Sequence, residues 1–135
     1  MSKRNKKNGF TLIEVMITVV IIGVLASIAY PSYVGFVSKG ARADALSGLM
    51  NIANRQEQYY LDHKTFTKNM KRLGMDDDPY IVDNGLYSID ATTGNVTKFV
   101  LKATALGAQA TRDSECGTIE VTSDGVKTPS ECWSH

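Results

Sequence analysis

Apolar residues fill the first part of this chain almost without interruption, and further along they recur at regular intervals among polar ones. The run from Phe10 to Tyr30 is 21 residues long, and Glu14 is its only charged residue. As an α-helix this run would extend about 31 Å, enough to cross the hydrocarbon core of a bilayer. We therefore expect a transmembrane helix. A lone carboxylate inside such a helix costs about 2.5–3.5 kcal/mol on insertion scales, so Glu14 needs a partner or a role.

Between Tyr33 and Asp62 the pattern becomes that of an amphipathic helix. Apolar residues recur there every three or four positions, which places them on one side of a helix, while polar residues occupy the opposite side. We expect the apolar side to pack on a sheet and the polar side to face solvent or other subunits. The expected apolar stripe is Ala41, Ala45, Leu49, Ile52 and Tyr59, flanked by Leu46, Met50, Ala53 and Tyr60, and the expected polar side is Asp44, Ser47, Asn51, Arg55, Gln58 and Asp62.

After this helix the sequence predicts a connecting loop and then short strands. Residues 63–85 contain turn signals and are predicted to be a loop with one helical turn near Asn69–Leu73. The fold class that follows is α+β: a long N-terminal helix, membrane-spanning in its first half and amphipathic in its second, packed on a small antiparallel sheet of about four strands. The strands are expected from the alternation of Tyr87, Ile89 and Ala91, of Phe99, Leu101, Ala103 and Ala105, and of Ile119 and Val121, with a hairpin turn at Asp124-Gly125 before a return strand at Val126–Thr128.

The charges of the first residues predict the orientation of the chain. Lys3, Arg4, Lys6 and Lys7 precede the apolar run without any acid among them. By the positive-inside rule this leader, residues 1–9, stays in the cytoplasm and the C-terminal part is exported. Removing the leader changes the formal charge from +1 to −3, because 11 of the 15 basic residues remain against all 14 acidic ones. That balance gives no indication of nucleic acid as a partner of the isolated subunit.

The junction between leader and helix reads Lys6-Lys7-Asn8-Gly9-Phe10-Thr11-Leu12-Ile13-Glu14. It resembles the class III signal of the type IV pilin superfamily, in which a basic leader ends in glycine, phenylalanine follows, and a glutamate comes four residues later. The resemblance implies that a prepilin peptidase cleaves the Gly9–Phe10 bond on the cytoplasmic face and methylates the new amino terminus of Phe10. It also implies that Glu14 is the carboxylate used in filament assembly.

Elementary chemistry is compatible with these roles, and two alternatives exist. Gly9 has no Cβ and can present an extended backbone to a protease. Cleavage would leave a cation at Phe10, which Glu14 of a neighbouring subunit can neutralise in a medium of low dielectric constant. One alternative is that Thr11-x-x-Glu14 is a capping box. The other is an ordinary secretory signal ending at the small residues Ser27-Ile28-Ala29, which the 21-residue apolar run disfavours because an ordinary apolar region has about 7–15 residues.

Two residues are expected to weaken the long helix. Pro31 lacks an N–H and clashes with the preceding turn, so a kink is expected near Ser27. Gly23 costs about 1 kcal/mol relative to alanine in a helix. The resemblance implies that the stretch between Gly23 and Pro31 can unwind in a filament, while an incidental glycine and a proline at the membrane exit fit the same sequence.

Cys116 and Cys132 are the only cysteines, with 15 residues between them. In an exported chain such a pair favours a disulfide, which would contribute about 3 kcal/mol in the chain-entropy model. Zinc is the alternative, but His63 and His135 do not supply the spacing of a zinc site. The ending, in which Cys116-Gly117-Thr118 is followed by Cys132-Trp133, resembles that of type IVa pilins, and of minor pilins in particular. There a disulfide frames the surface called the D-region.

No residues of this sequence form a recognisable catalytic set. There is no nucleophile with a matched base, no phosphate-binding glycine loop and no metal-ligand pattern, so neither an enzyme nor a cofactor is predicted. The acidic stretch Asp76-Asp77-Asp78 suggests calcium, which pseudopilins related to this superfamily bind. It lacks the ligand spacing of an EF-hand, however, and is predicted to be a solvated turn.

These observations predict a structural subunit of a type IV pilus, most like a minor pilin that contributes to pilus assembly. The alternatives are a major pilin, a pseudopilin of a type II secretion or competence system and, from a different class, a membrane-anchored exported binding module. The resemblance implies other pilin subunits, a prepilin peptidase and the inner-membrane assembly machinery as partners. It places the chain in the inner membrane with a cytoplasmic N-terminus, and after assembly in the filament at the cell surface. The expected segments are the leader 1–9, the transmembrane helix 10–31 and a head 32–135.

Overall fold

The structure is a computed structural model that describes residues 9–133. The predicted leader up to Asn8, with its cations Lys3, Arg4, Lys6 and Lys7, lies outside the described residues, as does His135. The chain divides after Gly35 into two compact units. The first unit is described from Gly9 and the second to Trp133, and each is considered by itself.

The first unit consists mainly of the beginning of α1 (Leu12–His63). This helix is long and apolar enough, by length and composition, to cross a membrane: an 18-residue window within it has a mean hydropathy of 2.6 and none of that window is buried. Gly23 and Pro31 both lie inside the helix as assigned. The weakening expected between them stays a prediction.

The second unit contains the remainder of α1 and an antiparallel sheet. The sheet has five strands in the order β1-β2-β3-β4-β5, so each strand pairs with its neighbours in sequence. This confirms the α+β class, a long N-terminal helix with an antiparallel sheet. The strands are β1 (Tyr80–Ile81), β2 (Tyr87–Gly94), β3 (Phe99–Ala105), β4 (Thr118–Thr122) and β5 (Lys127–Thr128), and the short helices are α2 (Ala108–Arg112), α3 (Ser130–Trp133) and two 3-10 turns at Met70–Leu73 and Ser114–Cys116.

Strand β1 lies in the stretch predicted to be a loop and makes the sheet one strand larger than expected. It has only two residues, Tyr80 and Ile81, which pair with Ile89 and Ser88 of β2. Two residues are too few to show a period of two, so this strand is set by the pairing available at the edge of β2 rather than by its own sequence. The predicted helical turn near Asn69–Leu73 is present as a 3-10 turn, capped by the Asn69 side chain.

The core of the second unit lies between α1 and one face of the sheet. Ala41, Ala45, Leu49 and Ile52 of α1 are all buried, as their spacing predicts. They contact the inner face of the sheet, where the alternating residues of the three long strands are also buried. Those strand residues are Tyr87, Ile89, Ala91, Phe99, Leu101, Ala103, Ala105, Ile119 and Val121.

The buried stripe of α1 differs from the expected one in its C-terminal part. Gln56, which the apolar pattern omits, is fully buried. Its amide group makes two hydrogen bonds with the backbone of Thr67, donating to the carbonyl oxygen at 2.6 Å and accepting from the N–H at 3.1 Å. Tyr59 is only partly buried and stacks on His63 with ring centroids 4.0 Å apart. Met50, expected beside the core, is 40% exposed.

Gly94, at the end of β2, lets the β2–β3 turn lie directly against the loop that follows α1. A Cβ at this position would lie 2.6 Å from the backbone carbon of Thr67, so only glycine permits the close approach. The Phe66 N–H donates to the Asn95 carbonyl at 2.9 Å and holds the two segments together. Residues distant in sequence are thereby brought to one edge of the second unit.

Candidate functional site

The residues of the predicted processing site precede the first turn of α1. Gly9 and Phe10 are exposed and non-helical, and the Phe10 side chain is 83% exposed. A Cβ built on Gly9 would meet nothing within 4 Å. The Gly9–Phe10 bond is therefore open to a protease on this side of the junction. Cleavage there and methylation of Phe10 stay predictions.

Thr11 caps the helix without the help of Glu14. Its hydroxyl oxygen accepts a hydrogen bond from the Glu14 backbone N–H at 3.2 Å, and its carbonyl accepts from the Val15 N–H at 3.1 Å. In a capping box the glutamate carboxylate would accept a bond from the Thr11 N–H in return. Among residues 9–133 the Glu14 carboxylate has no hydrogen-bond or ion-pair partner and is exposed. The arrangement is half of a capping box, in which the described residues leave the Glu14 carboxylate unused.

The structure joins Cys116 to Cys132 by a disulfide, the pair expected from the sequence. Both cysteines are buried, and they enclose β4, β5 and the turn between these strands. After the second cysteine, Trp133 packs beside the hairpin. The Lys127 ammonium lies 5.1 Å from the centre of the Trp133 ring, which is within range of a cation–π interaction. The enclosed segment presents a surface that the covalent link holds against the rest of the sheet.

A network of hydrogen bonds and one ion pair, which the sequence did not predict, links the segment before β4 to α1. Arg42 donates to both carboxylate oxygens of Asp113, each at 2.8 Å. The fully buried Gln109 donates to the Ser38 carbonyl at 2.9 Å and to the Tyr87 hydroxyl at 3.0 Å. Burial raises the pKa of Tyr87 above its ordinary value, while the bond from Gln109 opposes that rise. No local pattern identifies these residues, because each partner is distant in sequence.

Five exposed cations lie on two segments that contact each other, the loop after α1 and the β2–β3 turn, and we call these five residues the basic patch. Four of them come from the loop after the helix, where no acid occurs between residues 63 and 75, and the β2–β3 turn brings in the fifth through its contacts with residues 66 and 67. The net charge of the chain conceals this concentration. The patch consists of Lys64, Lys68, Lys71, Arg72 and Lys98.

An acidic groove of about 590 Å³ lies between α1 and the loop that follows β1. Asp44 and Asp83 supply its charges, and the Asn84 amide donates to the Asp44 carboxylate at 3.1 Å. The predicted turn at Asp76–Asp78 is exposed. Within the part of the chain that the structure describes, no group of three or more His, Cys, Asp or Glu side chains is placed to hold a metal ion.

The surroundings of Asp90, on the outer face of the sheet, disfavour the charged form of its carboxyl group. Partial burial raises its pKa, the N–H of Ala91 opposes that rise, and the neighbouring Asp78 carboxylate raises it further. The Ala91 N–H donates to Asp90 at 2.8 Å. Across the strands Asp90 faces Lys102, which in turn faces Glu120.

Two family models match the chain. The prokaryotic N-terminal methylation motif matches residues 4–30, which contain the junction and most of the apolar helix. A family described as "Type IV minor pilin ComP, DNA uptake sequence receptor" matches residues 31–120, which make up most of the second unit. The two matches meet at Pro31, so together they account for nearly all of the sequence before the last strand.

Curated relatives and a solved structure are also similar to this chain. The type II secretion system core protein G of Vibrio cholerae is 38% identical over 66 residues, which are 49% of this chain and 45% of that protein. The type IV major pilin protein PilE of Neisseria gonorrhoeae is 29% identical over 68% of this chain and 60% of its own length. The chain spans about half the length of the curated relatives it matches. The structure of a type IV pilin from Shewanella oneidensis is 27% identical with a TM-score of 0.53, covering 73% of this chain and 99% of that one.

Proposed function

This chain belongs to the type IV pilin superfamily, and from that membership we propose that it is a minor pilin of a type IV pilus. Pilins are structural proteins rather than enzymes, and they assemble with one another into filaments after prepilin processing. The methylation motif and the apolar helix indicate membrane anchoring and pilus assembly. We place the chain in the inner membrane as a single-pass protein with a cytoplasmic N-terminus. From there the assembly machinery would transfer it into the filament.

The observation that carries this proposal is the Glu14 carboxylate, which has no partner among residues 9–133, beside an exposed, non-helical Gly9–Phe10 bond. A carboxylate in an apolar span is costly unless an opposite charge meets it. Cleavage would create a cation at Phe10, one helical turn away, and one chain can offer its carboxylate while the next offers its amine. A pseudopilin would use the same junction. The match of the second unit to the minor-pilin family favours the pilus over the secretion system.

Intact-mass measurement of the membrane-extracted chain tests the processing step. We expect the mature form to lack residues 1–9 and to carry one added methyl group on Phe10. The matched variant Gly9→Val should accumulate at full length, because a branched side chain at the scissile bond obstructs the approach of the protease. This assignment would be wrong if the membrane-extracted chain retained residues 1–9. It would also be wrong if the Gly9→Val chain were processed at the wild-type rate.

A second candidate function, binding of DNA by the second unit, is favoured by the basic patch. The family model that matches residues 31–120 is described as a DNA uptake sequence receptor. The net charge of the mature chain argues against nucleic acid, but contacts with phosphate depend on local charge. Five exposed cations on two contacting segments can neutralise several backbone phosphates.

Duplex DNA binding by the processed chain in detergent tests this second function. Replacing Lys64, Lys68 and Lys98 by alanine should weaken binding and lower the slope of log affinity against log salt by about 0.9 for each phosphate that is no longer neutralised. Lys102→Ala is the matched control, because Lys102 lies between Asp90 and Glu120 on the outer sheet face. Equal binding by the triple variant and the control would exclude the basic patch as the DNA-binding surface.

A further inference from the structure

The surface of the second unit contains a recess of about 330 Å³, which we call the apolar recess. It lies between α1 and the end of the disulfide-enclosed segment, so one wall is helical and the other is held in place by the Cys116–Cys132 bond. Lys127 and Trp133 lie beyond residue 120, where the match to the minor-pilin family ends. The recess is therefore a feature that the family match does not describe. Its lining residues are Ala43, Leu46, Ser47, Met50, Lys127 and Trp133.

Met50 gives the recess an apolar floor that is partly exposed to solvent. Its side chain is 40% exposed, whereas Leu46, one helical turn earlier, is partly buried and packs against the core. Covering the exposed part of Met50 would remove apolar surface from water, which is favourable by about 25 cal/mol for each Å². The unbranched thioether side chain also adapts to partners of different shape. The floor therefore suits an apolar side chain of another molecule.

Lys127 gives the rim of the recess a positive charge at a fixed position. Its ammonium group lies 5.1 Å from the centre of the Trp133 ring, and the ring N–H of Trp133 donates to the Thr128 carbonyl at 3.4 Å. Lys127 forms no ion pair within residues 9–133. Because these contacts already restrict the lysine side chain, less conformational entropy is lost when a carboxylate meets it. The rim therefore favours a negatively charged group beside the apolar one.

We infer that the apolar recess is a docking site for a different pilin of the same filament. That pilin inserts an apolar side chain against Met50 and Trp133 and places a neighbouring carboxylate against Lys127. This inference rests on the proposed function, because the neighbours of a minor pilin in a filament are mainly other pilins. The fixed charge of Lys127 selects the partner and its orientation, while the adaptable floor tolerates a partner of different sequence. Two other occupants, a fatty acid and a second copy of this chain, would give different crosslinked products.

Photocrosslinking in sheared pili identifies the occupant of the recess. A diazirine-bearing amino acid of similar size replaces Met50 in the full chain, and irradiation should link it to a different pilin. The crosslinked peptide of that pilin should contain a carboxylate close to an apolar residue. The same amino acid in place of Val96 is the matched control, since Val96 is 64% exposed but lies on the β2–β3 turn. The control position should not link to the same peptide.

Four results of this experiment would overturn the proposal. They are the absence of any crosslink from position 50, a crosslink to a second copy of this chain, a crosslink to a fatty acid, and an equal crosslink to the same peptide from the control position.

Charge reversal tests the electrostatic part of the contact. Lys127→Glu should lower both the crosslink from position 50 and incorporation into pili by about tenfold, because like charges would then face each other. Replacing the mapped carboxylate of the partner pilin by lysine should restore both. Lys71→Glu is the matched control, since it changes the net charge equally at an exposed residue of the basic patch. Failure of the restoring substitution, with normal amounts of the variants in the membrane, would contradict the pairing.

The wild-type chain and Glu14→Ala separate the failure of this contact from the failure of the proposed function. If the wild-type chain enters pili and Glu14→Ala does not, while position 50 links to no other pilin, the recess contact is wrong and the pilin function stands. If the wild-type chain never enters pili, both proposals fail.

Discussion

The two units of this chain treat the same residue types in opposite ways. Leu49, in the second unit, is fully buried against the sheet, whereas Leu25, in the first unit, is 60% exposed. Both residues belong to α1. The difference is what surrounds them: the second unit carries its own sheet, whereas the described part of the first carries nothing that covers its apolar side chains. The first unit must therefore obtain its apolar environment from lipid or from other chains, while the second has a core of its own.

The most severe test of this contrast is removal of the one charge in the apolar run. Glu14→Ala should reduce incorporation into pili by about a hundredfold or more, since leaving the opposing cation unpaired in an apolar medium costs about 3–5 kcal/mol. The stability of the second unit should not change. Comparing the variant in sheared pili with its amount in the membrane measures the effect.

The capping alternative makes a different prediction for the same variant. If Glu14 served mainly as a cap, its loss would cost about 1 kcal/mol of helix stability and leave assembly near normal. Thr11→Ala is the matched control, because the Thr11 hydroxyl makes the capping bond that the structure shows. Wild-type incorporation of Glu14→Ala would remove the assembly role of this residue.

A pair of leucine substitutions compares the two units directly. Leu49→Ala should destabilise the second unit by about 2–5 kcal/mol, through lost burial and the cavity left behind. Leu25→Ala should leave that stability unchanged. Denaturant unfolding of the full chain in detergent, followed by the fluorescence of its single tryptophan, reports on the second unit alone because Trp133 lies there. Equal effects of the two substitutions would mean that the units do not differ in this way.

Loss of the disulfide should have a somewhat smaller effect, again confined to the second unit. Cys132→Ser should lower the free energy of unfolding by about 3 kcal/mol in the chain-entropy model. The same unfolding assay with and without reductant provides the measurement, since reduced wild-type protein should match the variant. Two thiols that react freely with an alkylating agent in the native, non-reduced chain would contradict the bridge.

The smallest expected effect concerns Asp90. The folded state raises the pKa of this carboxyl group and therefore holds its proton more tightly than the unfolded state. The stability of the fold consequently falls as the pH rises from the unfolded pKa through the folded pKa. Asp90→Asn keeps an acceptor for the Ala91 N–H and removes the charge. It should therefore stabilise the chain by up to about 0.5 kcal/mol at neutral pH and lose this advantage below the unfolded pKa, near about 4. Stability curves at the two pH values measure the difference, and an advantage that grows as the pH falls would contradict the assigned cause.

Much of this fold follows from periodicity, and the exceptions share a physical cause. The buried positions of α1, such as Ala45 and Leu49, and the alternating residues of β3 are predicted because burial on one face imposes a fixed repeat. Gln56 is buried because its amide satisfies the backbone of Thr67, and a hydrophobic pattern contains no information about that bond. Strand β1 depends on the edge offered by β2.

The candidate sites also differ in whether a local sequence pattern can predict them. Gly9, Phe10 and Glu14 are close together in sequence, so a local motif suffices to single them out. The basic patch could be identified only from the fold, because the β2–β3 turn that carries Lys98 contacts the loop of Lys64 and Lys68 through the close approach that Gly94 allows. The composition does not reveal the basic patch, because acidic residues elsewhere cancel its charge in the net charge of the chain.

The covalent link between Cys116 and Cys132 also changes what proteolysis can do to an exposed protein. The turn at Asp124-Gly125 is exposed and lies between the two cysteines, so it is an accessible site for a secreted protease. A single cut there would leave both fragments attached to each other. The nicked chain would keep its mass on a non-reducing gel and its hairpin in place, and only a reductant would release the terminal piece. If this chain meets a protease outside the cell, the disulfide would therefore keep this surface attached after a first cut.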